Sequence, residues 1–356
     1  MNTKIAIVVD CLSRGGAEKV AAFLSKKLSN EGFQVTVISI LDEIEYSYSG
    51  RLINLGENNS SNKKVKQIQK LLKLRKAIKS ESFDLIIDFR IRSRPVIELL
   101  LYVFVWANQQ MVYTMHSHNL SLHIPKGIIF KRLYKKAKIV VVAKEIKAAL
   151  IKKYNFKNIS YIPNSINLDY VRTEALKQDL AGKYIVCVGN LNNNKQQDKL
   201  IAIYAKSSLK QKGIKLYLLG EGCNKQKLQA QIAELNLQEH VLLFGFVQNP
   251  YPYIKHAMFQ VLCSKYEGFP MVLLEALALQ TPVVSFNCKS GPSELIQHNK
   301  NGLLIEDQDW NALYLAIEQL CNSASDLEKL KQKTLHYLEP FTEAENYKAW
   351  LKIIQS

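Results

Sequence analysis

The residues that could do chemistry cluster at Glu267-Gly268-Phe269-Pro270-Met271-Val272-Leu273-Leu274-Glu275, ahead of a small, apolar stretch that ends in Thr281-Pro282-Val283-Val284. Pro270 fits the first turn of a helix, where its missing N–H leaves no hydrogen bond unmade. The free amides after it, at the positive end of the helix dipole, form a ready site for a diphosphate. Phosphate alone gives two flanking carboxylates nothing to bind, whereas each accepts hydrogen bonds from vicinal hydroxyls of a ribose or a pyranose. A nucleotide sugar presents all three needs. A capped core helix with an exposed Glu275 is the plainer reading of the same residues. Asp307-Gln308-Asp309 has the D-x-D form of a metal-dependent transferase, but it sits just before the helical stretch from Trp310, where Asp309 serves as an N-cap.

Such residues need elements to hold them, and the chain of 356 residues is long enough for two globular domains. Strand-like and helical stretches alternate through the first half: strands at 4–9, 34–41, 84–88, 111–115, 139–142 and 160–162, with helices at 17–30, 63–79, 96–106, 128–135 and 145–154. After the break Pro163-Asn164-Ser165 and a polar stretch to Lys183, the pattern restarts with strands at 184–188, 215–219, 241–245, 259–263 and 282–286. This alternation predicts parallel sheets covered on both faces, binding ligands at their strand ends. The expected domains are 1–165, 166–339 and a final amphipathic helix within 340–356.

Charge is uneven. Residues 1–165 carry 28 Lys and Arg against 12 Asp and Glu, while 166–356 carry 20 against 19. The stretch 63–79 holds eight basic residues (Lys63, Lys64, Lys66, Lys70, Lys73, Arg75, Lys76, Lys79) and no acid, with Ile68, Leu71, Leu72, Leu74 and Ile78 interleaved. It reads as a basic amphipathic helix suited to an anionic membrane face, or as a solvated face packed on its own domain. The six cysteines show no C-x-x-C pairing and read as reduced core residues, and the seven histidines lack metal-site spacing, so no metal is expected. The N-terminal stretch lacks the features of a signal peptide, and no apolar run is long enough to span a bilayer. A cytoplasmic protein, soluble or at the membrane surface, is expected.

The E-x7-E spacing with its T-P-V-V sequel resembles the donor signature of retaining glycosyltransferase family 4. Gly189-Asn190-Leu191 with Lys195 is similar to that family's G-R-L-x-x-x-K loop, and Gly220-Glu221-Gly222 to its G-x-G turn. The strand ending in Gly245-Phe246-Val247, the segment Gly291-Pro292-Ser293-Glu294, and Gly15-Gly16-Ala17-Glu18 follow the family's order, so the resemblance covers nearly the whole chain. It implies the GT-B fold: α/β, two doubly wound Rossmann-like domains facing a central cleft, the last helix crossing back to the first.

Carried over, the resemblance gives Glu275 the ribose hydroxyls, and gives the donor sugar to Glu267 with the backbone of Gly268, Phe269 and Pro270. Met271, Val272, Val247, Gly15, Gly16 and Asn190 join the donor contacts. Lys195 meets the β-phosphate, and His116 matches the family's cleft histidine, with His118 its competitor. Asn190 stands where the family usually places Arg, so one bidentate phosphate contact is missing. The implied activity is retaining transfer of a hexose or N-acetylhexosamine from a nucleoside diphosphate, UDP favoured, to a glycan acceptor, lipid-linked, in bacterial surface polysaccharide or glycoconjugate synthesis. No cofactor and no nucleic acid is expected. An inverting GT-B transferase and a non-catalytic basic binding protein at membranes or nucleic acid are the competing readings.

Overall fold

The computed structural model describes residues 3–13, 15–57 and 63–355, with the backbone alone for Lys63, Lys64 and Lys66. The chain divides into two compact units, Met1–Asn164 with Tyr347–Ser356, and Ser165–Asn346.

The first unit runs β1 (Lys4–Val9), α1 (Gly16–Asn30), β2 (Gln34–Ser39), β3 (Arg51–Asn54), α2 (Lys63–Glu81), β4 (Leu85–Asp88), α3 (Pro95–Phe104) and β5 (Met111–Met115). It continues with α4 (Ile128–Lys136), β6 (Lys138–Val141), α5 (Lys144–Tyr154) and β7 (Ile159–Tyr161). The seven strands pair in parallel in the order β3-β2-β1-β4-β5-β6-β7. Burial on both faces explains the unbroken apolar run of β1. Ile5, Ile7 and Val9 pack with Leu24 and Leu28 of α1, while Ala6 and Val8 point the other way, to Leu74 and Ile78 of α2 and Leu101 of α3.

The second unit contains α6 (Leu168–Ala175), β8 (Tyr184–Val188), α7 (Gln197–Lys206), β9 (Lys215–Leu219), α8 (Lys225–Glu234), β10 (Val241–Gly245) and α9 (Tyr251–Lys255). Then come β11 (Gln260–Leu262), α10 (Met271–Ala278), β12 (Val283–Phe286), α11 (Pro292–Leu295), β13 (Gly302–Ile305), α12 (Trp310–Asn322) and α13 (Ala324–Lys333). Its six strands, again parallel, follow β10-β9-β8-β11-β12-β13. In each sheet the order reverses beside the first strand, between β1 and β4 and between β8 and β11. Loops leaving the carboxyl ends there diverge and open a crevice, the place where open α/β sheets bind ligands.

Several local expectations need correction. β3 and α6 were not expected from the sequence, because β3 is a four-residue edge strand and α6 lies in a polar stretch where the Asn167 side chain caps the Tyr170 N–H. The apolar residues of α2 do not share one face: Leu74 and Ile78 are buried on the sheet, whereas Val65, Ile68 and Leu72 are exposed. The side chains of Lys63, Lys64 and Lys66, central to the basic-helix reading, lie outside the described residues. Among the free cysteines Cys187, Cys263 and Cys288 are buried, but Cys223 is exposed and Cys11 and Cys321 are half-buried. Among the described residues no helix is long and apolar enough to cross a membrane.

The final helix, α14 (Glu343–Ile354), sends Tyr347 and Trp350 into the core of the first unit, where Trp350 is fully buried against Phe89 with ring centroids 6.2 Å apart. Truncating so large a buried ring leaves a cavity as well as removing its transfer energy. Trp350→Ala is therefore expected to lower unfolding stability by about 3–5 kcal/mol in a denaturant titration, and a loss below about 1 kcal/mol would show that the helix is not part of that core.

Candidate functional site

In the second unit the two loops at the reversal point carry the predicted residues. The loop after β8 leads to Lys195 and the loop after β11 to Glu267, and their side chains meet: Lys195 Nζ lies 2.6 Å from Glu267 Oε1, with both side chains mostly buried. Burial alone pulls an ammonium pKa down, but the Glu267 carboxylate outweighs it and holds Lys195 above its ordinary value. Lys195 is thus a fixed cation at neutral pH.

The loops are fastened to each other by backbone chemistry. Asn194 donates from Nδ2 to Tyr266 O (3.0 Å) and accepts from Tyr266 N–H at Oδ1 (3.2 Å), while Lys265 N–H donates to Asn194 O (2.9 Å). Gln196, buried in a left-handed conformation, donates to Cys263 O at 2.9 Å just ahead of α7. Neither Asn194 nor Gln196 was singled out in the sequence. Only the run Asn192-Asn193-Asn194, a turn-prone sequence, hinted at a built loop.

Helix α10 begins one residue later than the sequence suggested, with Pro270 at the N-cap and Met271 as first helical residue. No side chain caps it; Leu273 N–H turns back to Pro270 O at 3.0 Å, which leaves the Met271 and Val272 amides as the first-turn donors without an intrahelical acceptor. The turn before it is held by Glu267 N–H to Lys289 O (2.9 Å) and by Ser290 Oγ to Gly268 O (2.9 Å). Gly291, at φ +100°, is needed there, since a Cβ would stand 2.4 Å from Pro270 Cδ. Phe269 and Pro270 are buried, Met271 and Val272 half-buried, and Glu275, one turn into the helix, is 5% exposed rather than on the open surface. Asn190 is exposed and its carbonyl accepts from Gln197 Nε2 at 3.1 Å. Gly220 packs so closely on this loop that a Cβ would meet Gly189 O at 2.1 Å. Val247 is half-buried against Tyr184 and Leu219, away from the ion pair's loops in sequence. Asp309 caps α12, accepting from Ala312 N–H at 2.9 Å. Among the described residues no group of three or more His, Cys, Asp and Glu side chains is disposed to hold a metal ion.

In the first unit, His116 follows the carboxyl end of β5 and stacks on Phe89 at 5.3 Å. The residue is half-buried, yet both ring nitrogens are buried and have no hydrogen-bond partner among the described residues. Burial, followed by the charge of Arg92, pushes its pKa down to about 3, so at neutral pH the imidazole is uncharged and offers one donor and one acceptor. The predicted competitor His118 is also half-buried.

Beside His116 lies a buried charged cluster absent from the sequence reading. Arg90 makes a two-pronged pair with Asp88 (3.0 and 2.9 Å) and reaches Glu98 at 3.3 Å. Arg92, with no exposed surface, donates to the carbonyls of Asp88, Arg90, Thr114 and His123. The alternation Asp88-Phe89-Arg90-Ile91-Arg92 was its one sequence signal. Gly15 caps α1 and lies against the carboxylate of Glu18; Gly16, exposed, opens the helix. Burial raises the pKa of both Glu18 and neighbouring Asp10, whose carboxylate accepts from Ile91 N–H at 2.7 Å.

Against known proteins, the model of the family described as Glycosyltransferase Family 4 matches residues 14–170, and that of Glycosyl transferases group 1 matches residues 173–336. A Campylobacter jejuni protein, N-acetylgalactosamine-N,N'-diacetylbacillosaminyl-diphospho-undecaprenol 4-alpha-N-acetylgalactosaminyltransferase, is 31% identical over 333 residues, covering 89% of this chain and 90% of its own. The amylovoran biosynthesis glycosyltransferase AmsD of Erwinia amylovora is 27% identical over 320 residues, 88% of each. Among solved structures, a Staphylococcus aureus TarM variant in complex with Fondaparinux, alpha-GlcNAc-glycerol and UDP aligns with TM-score 0.80 at 16% identity over 99% of this chain and 100% of that one. The last likeness shows the two-domain GT-B fold.

The buried neutral histidine carries a pH signature. An unfolded histidine takes a proton near its ordinary pKa of 6.5, while folded His116 refuses it until about pH 3, so stability is full above 6.5 and is lost as pH falls through that window. Each such group adds a slope of about 1.4 kcal/mol per pH unit. Unfolding free energy measured between pH 7 and 4 is expected to fall less steeply in His116→Asn than in the wild type; identical slopes would mean that His116 titrates normally.

Proposed function

The chain belongs to glycosyltransferase family 4, and we propose that it is a retaining transferase moving a hexose or N-acetylhexosamine from a UDP-linked donor to a lipid-linked glycan acceptor. Its setting would be bacterial surface polysaccharide or glycoconjugate synthesis. The observation that carries this reading is the Lys195–Glu267 pair set beside the uncapped first turn of α10 at the sheet's reversal point. The lipid-linked acceptor is supported by the diphospho-undecaprenol in the Campylobacter relative's name, and UDP by the nucleotide in the TarM complex.

In this reading the diphosphate lies against the α10 amides and Lys195, whose charge meets the negative charge that builds on the leaving group. Glu275 accepts from the ribose hydroxyls and Glu267 from the sugar, joined by the backbone of Gly268, Phe269 and Pro270. The sugar C1 to phosphate oxygen bond breaks while the acceptor hydroxyl oxygen bonds C1 on the same face, and the hydroxyl proton passes to the departing phosphate. Neutral His116 suits hydrogen bonding to a sugar hydroxyl rather than charge compensation. No metal is required, because lysine and amides supply the positive field. Lys195 also covers for the arginine that Asn190 replaces. The enzyme works at the cytoplasmic membrane face, drawn there by the basic first unit.

Three measurements test this. Lys195→Ala is expected to lower turnover by about 10²–10³-fold with little change in melting temperature, and unimpaired turnover would remove Lys195 from the reaction. Glu275→Gln is expected to weaken UDP binding by about 1–3 kcal/mol, and unchanged affinity would move the ribose site elsewhere. Transfer in EDTA is expected to continue; complete loss with rescue by manganese would favour a metal-dependent site.

A further inference from the structure

Helix α3 is turned inside out. Its apolar side chains Val96, Leu99, Leu100 and Val103 recur at i, i+3, i+4 and i+7 and form one stripe, yet all four are exposed, Val96 by 73%. The residues it turns inward include Glu98, held inside by Arg90, whose guanidinium lies 3.3 and 3.4 Å from the two carboxylate oxygens. Helix α2 continues this surface with exposed Val65, Ile68 and Leu72, and one turn further Arg75 lies over the exposed ring of Phe104 at the end of α3, 5.8 Å from its centroid.

The charges around this face are mostly positive. Between residues 63 and 80, and again between 85 and 144, the only carboxylates are Asp88 and Glu98, both buried, and of the two in the turn between, Glu81 pairs with Arg51 while exposed Asp84 accepts from Lys4 N–H. Lys73, Lys76, Arg94, Lys131, Arg132 and Lys135, from α2, the α3 N-cap and α4, are exposed. An apolar face of this extent marks an interaction surface on a soluble protein. A rim on which basic side chains far outnumber exposed carboxylates complements anionic headgroups.

Between α3 and α4 the face opens into a cavity of about 790 Å³ whose walls include Tyr102, Val103, Trp106, Tyr113, Phe130 and Tyr134. That lies within the range of roughly 300–1,000 Å³ typical of pockets that enclose a ligand. Leu85, Met111 and Lys138, which also line it, are the first residues of β4, β5 and β6, so the cavity sits at the amino edge of the sheet. His116 follows the opposite edge, about 16 Å away along a five-residue strand. The cavity is therefore separate from the candidate catalytic residues of this unit.

We propose that the α2–α3–α4 face docks on an anionic lipid bilayer and that the α3–α4 cavity takes up one hydrocarbon chain of a bilayer lipid. This rests on the membrane-face reading above and adds the surface and the chain-binding site. Exposed Tyr102 and Val103 form the mouth, the aromatic walls shield the chain from water, and the lysines and arginines of α2 and α4 meet the headgroup layer.

Vesicles of phosphatidylglycerol and phosphatidylcholine with brominated acyl chains test it, because bromine quenches a tryptophan in contact with the chain. Wild-type protein is expected to sediment with these vesicles and lose part of its tryptophan fluorescence. Trp106→Phe is expected to sediment equally while the two remaining tryptophans, Trp310 and Trp350, stay unquenched. Leu99→Glu with Val103→Glu, at two exposed positions, is expected to abolish sedimentation while keeping the melting temperature and transfer to a water-soluble acceptor. Wild-type protein that fails to sediment overturns the membrane reading and this proposal together. Sedimentation without Trp106-dependent quenching overturns the chain site alone, and undiminished sedimentation of the double variant overturns the docking face.

Discussion

The second unit is organised around one ion pair that its own sheet topology makes possible. Lys195 and Glu267 come from loops 72 residues apart that leave adjacent strands at the reversal point between β8 and β11. Removing two charges from water is costly, and an ion pair offsets that cost only when its geometry is fixed. Here the fixing is done by Asn194, which pairs with the backbone of Tyr266, and by Gly291, whose missing Cβ lets the next loop close on Pro270. A reaction that develops negative charge on a leaving diphosphate gains most from a cation that needs no reorganisation.

The first unit solves the opposite problem. Its buried cluster of Asp88, Arg90, Glu98 and Arg92 carries two charges of each sign and spends its donors on carboxylates and on four backbone carbonyls. The result is a rigid carboxyl edge beside which His116 is kept uncharged. Satisfying Glu98 indoors also explains why α3 presents its apolar stripe outward, since the helix cannot turn both faces to the sheet. A single buried arginine thereby links the loop beside His116 with the exposed apolar face.

Much of this was legible in the sequence because it is periodic or local. Continuous apolar runs such as Ile5 to Val9 announced buried parallel strands, and of the residues singled out by E-x7-E and the preceding lysine, Lys195 and Glu267 meet at 2.6 Å while Glu275 is buried one turn into α10. What escaped depends on partners distant in the chain. The apolar residues of α2 fit one helical stripe on paper, but only the sheet decides that Leu74 and Ile78 face in and Ile68 and Leu72 face out. The role of Asn194 lies in contacts to a loop 72 residues away, and nothing local distinguishes it from its neighbouring asparagines. Edge strand β3, four residues long, and helix α6, in a polar stretch, are too weakly patterned to stand out.

The central claim is that the two members of the ion pair divide the donor between them, Lys195 taking the diphosphate and Glu267 the sugar. Calorimetric titration of UDP and of its preferred UDP-sugar into wild-type protein and into Glu267→Ala tests that division directly. The account predicts that the variant loses about tenfold or more in affinity for the UDP-sugar while its affinity for UDP is equal or higher, because one sugar contact is gone and Lys195 is released toward the phosphates. Equal losses for both ligands, or no loss for either, would contradict it.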